Sequence, residues 1–170
     1  RWFQYGTFTP VLRMHGDRQP HSEPLGTDSG GQCSSGAPNE IWSYGEENEK
    51  IFTKYIRIRE ALKPYIKELM KEAHEKGTPI MRPLFYDFPN DKTAWNIENT
   101  FMFGPDILVA PIINYKERER EVYLPTGENW IDANTGKQYS GGNYYTIDAD
   151  IDSIPVFYKL NNEAVKLPMF

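Results

Sequence analysis

Between Glu46 and Lys76 apolar side chains recur every three or four positions, at Ile51, Tyr55, Ile58, Leu62, Tyr65, Leu69 and Ala73. A second row runs through Phe52, Ile56, Ile66 and Met70. That is the period of an α-helix, and two adjacent rows predict about eight turns with a wide apolar stripe. Pro64 has no backbone N–H to give to the preceding turn, so it predicts a kink there or a split into two helices. Gly77 is the expected stop, with Pro79 just beyond. A stripe of this width must be covered by another layer. Only one strand accompanies it in the first 90 residues, so the expectation is that it packs against elements this chain does not contain.

After Gly77 the period changes. Pro79–Tyr86 predicts a buried strand, Phe88–Asp91 a polar turn and Thr93–Glu98 a short helical turn leading to Phe101–Phe103. Beyond it the pattern predicts short strands at 107–113, 121–124, 129–132, 137–139, 144–148 and 154–159, separated by Gly, Pro and Asn turns. Asn134-Thr135-Gly136 and Ser140-Gly141-Gly142-Asn143 are each expected to close a hairpin. Regular short strands with such punctuation favour a sandwich. The organisation is therefore two-part: residues 1–90, helical and ending in one strand, and residues 91–170, all β.

The segment Trp2–Leu12 predicts a helix end running into an extended stretch. From Gly16 to Asn39 the composition turns to Gly, Ser, Pro, Asp and Gln, a loop longer than compact domains keep without a use for it. The chain opens on Arg1 within sequence of structured character, which suggests a piece of something longer. With 19 Lys and Arg against 24 Asp and Glu, the net charge is −5. That balance, without any basic run, argues against nucleic-acid binding. The longest apolar run, Ile107–Ile113, is far too short to span a membrane. Cys33 stands alone, so no intrachain disulfide framework is expected. Localisation stays open, with the lone cysteine tilting it towards the cytoplasm.

Few side chains form a recognisable chemical constellation by spacing. His15 ends an apolar stretch and opens the long loop, where functional side chains tend to sit. Arg13, two residues earlier, points to the same side in an extended backbone. His15, His21 and Cys33 share one loop, but their spacing matches no zinc pattern, so no metal is expected. Ser34-Ser35-Gly36 lacks the strand-to-helix context of a nucleophile elbow. Glu46 and Glu47 suit a helix N-terminus, and His74 suits a C-terminus. Asp148, Asp150 and Asp152 read as solvated edge charges.

The order of short motifs adds a resemblance. Arg1-Trp2-Phe3-Gln4-Tyr5-Gly6-Thr7-Phe8-Thr9-Pro10, followed by Leu12-Arg13-Met14-His15-Gly16, resembles the late catalytic-barrel signature of glycoside hydrolase family 31, which contains α-glucosidases and α-xylosidases. Glu40–Gly45, Leu62–Ile66, Thr78–Leu84 and Phe103–Pro111 follow in the family's order. Val122–Pro125, Trp130, Thr135-Gly136 and Ile154–Phe157 are similar to its proximal C-terminal β-sandwich. Each block is weak and the ordered series is strong.

The resemblance implies α/β plus all-β architecture: the last portion of a (β/α)8 barrel over residues 1–90, then an antiparallel β-sandwich over 91–170. It implies a retaining α-glycosidase acting on α-linked glucosides or xylosides by a pair of carboxylates. In the family both are aspartates in motifs that precede Arg1, so this chain alone is expected to be inactive. Arg13 and His15 match the family's Arg-x-His motif, whose histidine holds sugar hydroxyls in the −1 subsite. Arg13 is its expected positioning partner, and Asp17, with Arg18, is a candidate for the pocket rim. The implied partners are an oligosaccharide or glycoside substrate and the rest of the barrel, without cofactor, nucleic acid or membrane; a homo-oligomer stays open. The rival is a non-catalytic carbohydrate-binding or interaction module, which a surface row of Trp and Tyr would support. Trp95, Trp130 and Tyr144-Tyr145 are instead spread over separate elements, as core and hairpin packing would have them.

Overall fold

The computed structural model describes residues 1–14 and 37–161. Most of the expected loop Gly16–Asn39 lies outside them. Helix α1 spans Trp2–Thr7, and a short 3-10 turn at Ile41–Tyr44 precedes α2, Glu46–Ala61, and α3, Lys63–Lys76. The predicted long helix is thus split. Pro64 sits in the first turn of α3, where its missing N–H costs nothing, and Leu62 caps α2 while starting α3. Glu46, Glu47 and Glu49 occupy the first turn of α2, and His74 and Lys76 the last turn of α3, as the helix dipole favours. Gly77 ends α3 at φ +70°, giving its N–H to Ala73 O.

The strand expected over 79–86 is shorter. β1 is Met81–Pro83, and the chain then coils into a single helical turn, α4, Leu84–Asp87. After a 3-10 turn at Ala94–Asn96 come β2 (Phe101–Phe103), β3 (Ile107–Val109), β4 (Glu119–Leu124), β5 (Asn129–Asp132), β6 (Gln138–Ser140), β7 (Asn143–Asp148) and β8 (Val156–Lys159). β3 stops before Pro111, which has no N–H for a ladder.

Six strands form one sheet in the order β1-β2-β3-β8-β5-β6, antiparallel throughout, while β4 pairs with β7 separately. Asn134-Thr135-Gly136 does close the β5–β6 hairpin. Ser140–Asn143 does not close one, because β6 and β7 belong to different sheets. The chain changes layers there at Gly141, where a Cβ would stand 2.1 Å from the Pro125 carbonyl oxygen. Only glycine lets the two backbones cross so closely.

Register divides the sheet into two faces, since alternate residues point opposite ways. Met102 pairs with Leu108 and Leu108 with Phe157, so these three share a face. With Trp130 they pack against Val122, Leu124 and Ile147 of β4 and β7. Phe103, Ile107, Val109 and Val156 fill the other face and meet Phe8, Tyr55, Ile58, Leu62, Ile66 and Leu69. The first apolar row of α2 and α3 is therefore covered by this chain's own sheet, contrary to the expectation of outside elements. Of the second row, Ile66 is buried, whereas Ile56 and Met70 remain more than a third exposed. Each fully buried side chain of the first row is worth roughly 1.5–3 kcal/mol, which is what seats the helices.

Candidate functional site

Helix α1 sits at the junction of the two helices and the sheet. Phe8, fully buried, anchors its end edge-on to Phe103 at 6.4 Å between ring centres. Thr9 then turns the chain: its hydroxyl lies 2.7 Å from Gly6 O and 2.8 Å from Val11 O. The following residues run back beside α1, with Leu12 near enough to Gly6 that a Cβ there would be 3.0 Å from it. This hairpin-like return opens a cleft of about 560 Å3, bounded by Trp2, Phe3 and Tyr5 of α1, by Val11–Met14, and by Asn39, Tyr44 and Phe52. Phe52 packs against Phe3 with ring centres 4.6 Å apart and planes tilted by 43°, and meets Tyr44 edge-on at 5.4 Å, giving the cleft an aromatic floor. Faces of this kind suit both apolar groups and sugar rings.

Arg13 is exposed on the rim of this cleft. His15 and Asp17 lie outside the described residues, as do Arg18, His21, Cys33, Ser34 and Ser35. Among the described residues no group of three or more His, Cys, Asp or Glu side chains could hold a metal ion. None of the described helices is long and apolar enough to cross a membrane. His74 is exposed at the end of α3, and Asp148, Asp150 and Asp152 are exposed too. Trp130 is fully buried, whereas Trp95 is 57% exposed and stacks on Phe85 at 4.7 Å. Tyr144 is half exposed and leans on Tyr123. The exposed aromatics thus stand on separate elements.

Backbone carbonyls, more than carboxylates, hold this region in place. The Arg1 guanidinium donates to the carbonyls of Ala149 at 2.6 Å, Asp150 at 3.0 Å and Glu117 at 3.3 Å, and also to that of Ser153. Burial lowers the Arg1 pKa, with repulsion from Arg118 adding to it. Gln4, buried on α1, donates to Ile151 O at 2.8 Å. Tyr55 donates to Asp152 O at 3.1 Å, and burial first and Asp152 second push its phenol well above the ordinary value. Arg59 of α2 donates to Thr7 O, Thr9 O and Pro10 O. Sequence reasoning passed over Arg59. The available signal is its place three residues after Ile56, where it interrupts the second apolar row of the helix.

A separate polar hub fixes the sheet's far side. Asp91 accepts hydrogen bonds from Tyr123 Oη at 2.7 Å, Thr126 N at 2.9 Å, Thr93 N at 3.0 Å and Ala94 N at 3.3 Å. Burial alone would raise its pKa, but these donors outweigh that and hold the carboxyl below its ordinary value, while Tyr123 is pushed up to about 12 by burial and by this bond.

Known proteins share this arrangement. Residues 1–69 match the family model for the glycosyl hydrolases family 31 TIM-barrel domain, and residues 77–162 match that for the glycosyl hydrolase family 31 C-terminal domain. Alpha-glucosidase 2 of Bacillus thermoamyloliquefaciens is 39% identical over 94% of this chain, and the alpha-xylosidase of Saccharolobus solfataricus is 36% identical over 94%. The chain spans only 18% and 19% of their respective lengths. A solved GH31 alpha-xylosidase from a soil metagenome, complexed with xylose, superposes with a TM-score of 0.90 at 51% identity, over 98% of this chain and 24% of its own. With two neighbouring domains of one family matched in order along its length, the chain belongs to glycosyl hydrolase family 31.

Proposed function

We propose that these residues are part of a retaining α-glycosidase that hydrolyses α-linked glucosides or xylosides. Residues 1–76 then close a (β/α)8 barrel, and the proximal β-sandwich begins at Gly77. Placing the division there, earlier than residue 90, is supported by the gap between the two family matches and by β1, which already pairs antiparallel with β2. The observation that carries the reading is the return of the chain after α1, which sets Arg13 on the rim of an aromatic-floored cleft with His15 two residues on in sequence. His15 holds a hydroxyl of the sugar in the −1 subsite, a bond that strengthens as the ring distorts toward the oxocarbenium-like transition state. Arg13 steadies it, and Asp17 contributes to the rim. The two reacting aspartates are not among these 170 residues, so the chain by itself does no hydrolysis.

The test is steady-state kinetics on the complete gene-encoded polypeptide with p-nitrophenyl α-xyloside and α-glucoside. Losing a hydrogen bond made by a charged or polarised imidazole corresponds to a roughly 10- to 100-fold fall in kcat/KM for His15→Ala. An unchanged kcat/KM removes His15 from the substrate site. Hydrolysis by the isolated 170 residues would place the carboxylates within them.

A further inference from the structure

We propose that Arg59 is a positioning residue for the substrate-contacting segment, its guanidinium fixing how the backbone leaves α1 and runs to Arg13, two residues before His15 in sequence; this rests on the reading of those two residues given above. Nη1 of Arg59 donates to Thr7 O at 2.8 Å and to Thr9 O, and Nη2 donates to Pro10 O at 2.9 Å. The last carbonyls of a helix have no partner within it, and α1 has only six residues and no left-handed cap to turn its end. One planar fork from a neighbouring helix supplies those donors, a geometry a lysine ammonium does not reproduce.

The clamp is dedicated to this task. Among the described residues no carboxylate pairs with Arg59, and the hydrogen bonds its guanidinium donates end on the carbonyls of residues 7, 9 and 10. The Thr7 and Thr9 hydroxyls themselves bond locally, to Phe3 O, Gly6 O and Val11 O. Helix α2 is in turn seated on the sheet by Tyr55 and Ile58, both buried. The guanidinium therefore ties the segment leading to Arg13 to the rigid core, adding a fixed tie from α2 to the local turn at Thr9 and the packing of Phe8. Small displacements of a group that contacts a transition state are costly in rate.

The test combines kinetics with backbone amide exchange, using Arg59→Met, Arg59→Lys, His15→Ala and the Arg59→Met/His15→Ala double variant of the complete polypeptide. Arg59→Met should lower kcat roughly 10- to 100-fold with a smaller change in KM, and Arg59→Lys should recover part of it. The double variant should be no slower than His15→Ala, since a residue acting through another has nothing left to position. Exchange at residues 8–14 should quicken at least about tenfold while α3 is unchanged, which separates local release from general unfolding. Unchanged exchange at residues 8–14, or losses that multiply in the double variant, overturns the proposal. If His15→Ala alone leaves kinetics intact, the reading of His15 fails, and the exchange result still decides whether Arg59 holds the segment.

Discussion

The two faces of the six-stranded sheet are closed in different ways. On one, Met102, Leu108, Phe157 and Trp130 interlock with Val122, Leu124 and Ile147, and shape does most of the fixing. On the other, helices distant in sequence lay an apolar stripe on Phe103, Ile107, Val109 and Val156, and polar side chains then tie them to carbonyls: Arg1 at the start of α1 and Gln4 within it, Lys54 and Tyr55 from α2. Apolar burial is non-directional, so a stripe alone tolerates sliding, whereas hydrogen bonds fix position and angle. The helical face is the one that carries the cleft. It needs a defined placement there, beyond mere cover.

The largest effect should come from the shape-dependent face. Trp130 is fully buried, touches Phe88 at 5.9 Å between ring centres and gives its indole N–H to Pro125 O at 3.3 Å. Trp130→Ala should cost roughly 3–5 kcal/mol of unfolding free energy, read by denaturant titration. A cost below about 1 kcal/mol would show that this face repacks freely, and the contrast between the faces would collapse.

Asp91 tests the polar part of that same face. Asp91→Asn puts an amide N–H against the donors Tyr123 Oη and Thr126 N, so at neutral pH it should cost about 1–3 kcal/mol. Because the folded-state pKa is depressed, the carboxylate's contribution is present above the ordinary value of 3.8 and is lost as pH falls through the lower folded value. The gap between wild type and Asp91→Asn should therefore narrow below pH 3.8 and stay constant from pH 5 to 7. A gap independent of pH throughout would mean that the charge of Asp91 contributes nothing.

Much of this was legible in residue spacing. The 3.6-residue rows, Pro64 and Gly77 predict α2 and α3 and the break between them, and the positions of β2, β5, β7 and β8 follow from alternation and turn residues. What spacing misjudged were partners distant in the chain. The first apolar row is covered by strands some forty to a hundred residues away in sequence, and nothing local announces that. Ser140–Asn143 has the composition of a hairpin turn, yet the backbone approach at Gly141 makes it a change of layer. Leu84–Asp87 coils after Pro83 where an extended run was expected, since Leu84 reaches the core as well from a helical turn as from a strand. At the cleft, the motif pointed to Arg13, which stands exposed on the rim, whereas Arg59 shows in the sequence only as a break in the second apolar row, because the carbonyls it binds leave no mark on side-chain identity.

The smallest effect should come from a single tie on the helical face. Tyr55→Phe keeps the ring buried against the sheet and removes only the hydroxyl that donates to Asp152 O. Lys54 Nζ donates to the same oxygen at 3.0 Å, so the acceptor is not orphaned. The loss should be about 0.5–1.5 kcal/mol by thermal or denaturant unfolding. If directional ties set placement more than stability, amide exchange in α2 and the β7–β8 connection should change beyond what that small loss requires. A stability loss as large as that of Trp130→Ala would invert the comparison, making the helical face the one that depends on a single contact. A loss near zero with unaltered exchange would leave Arg1, Gln4 and Lys54 as the groups that tie the helices to the carbonyls between β7 and β8.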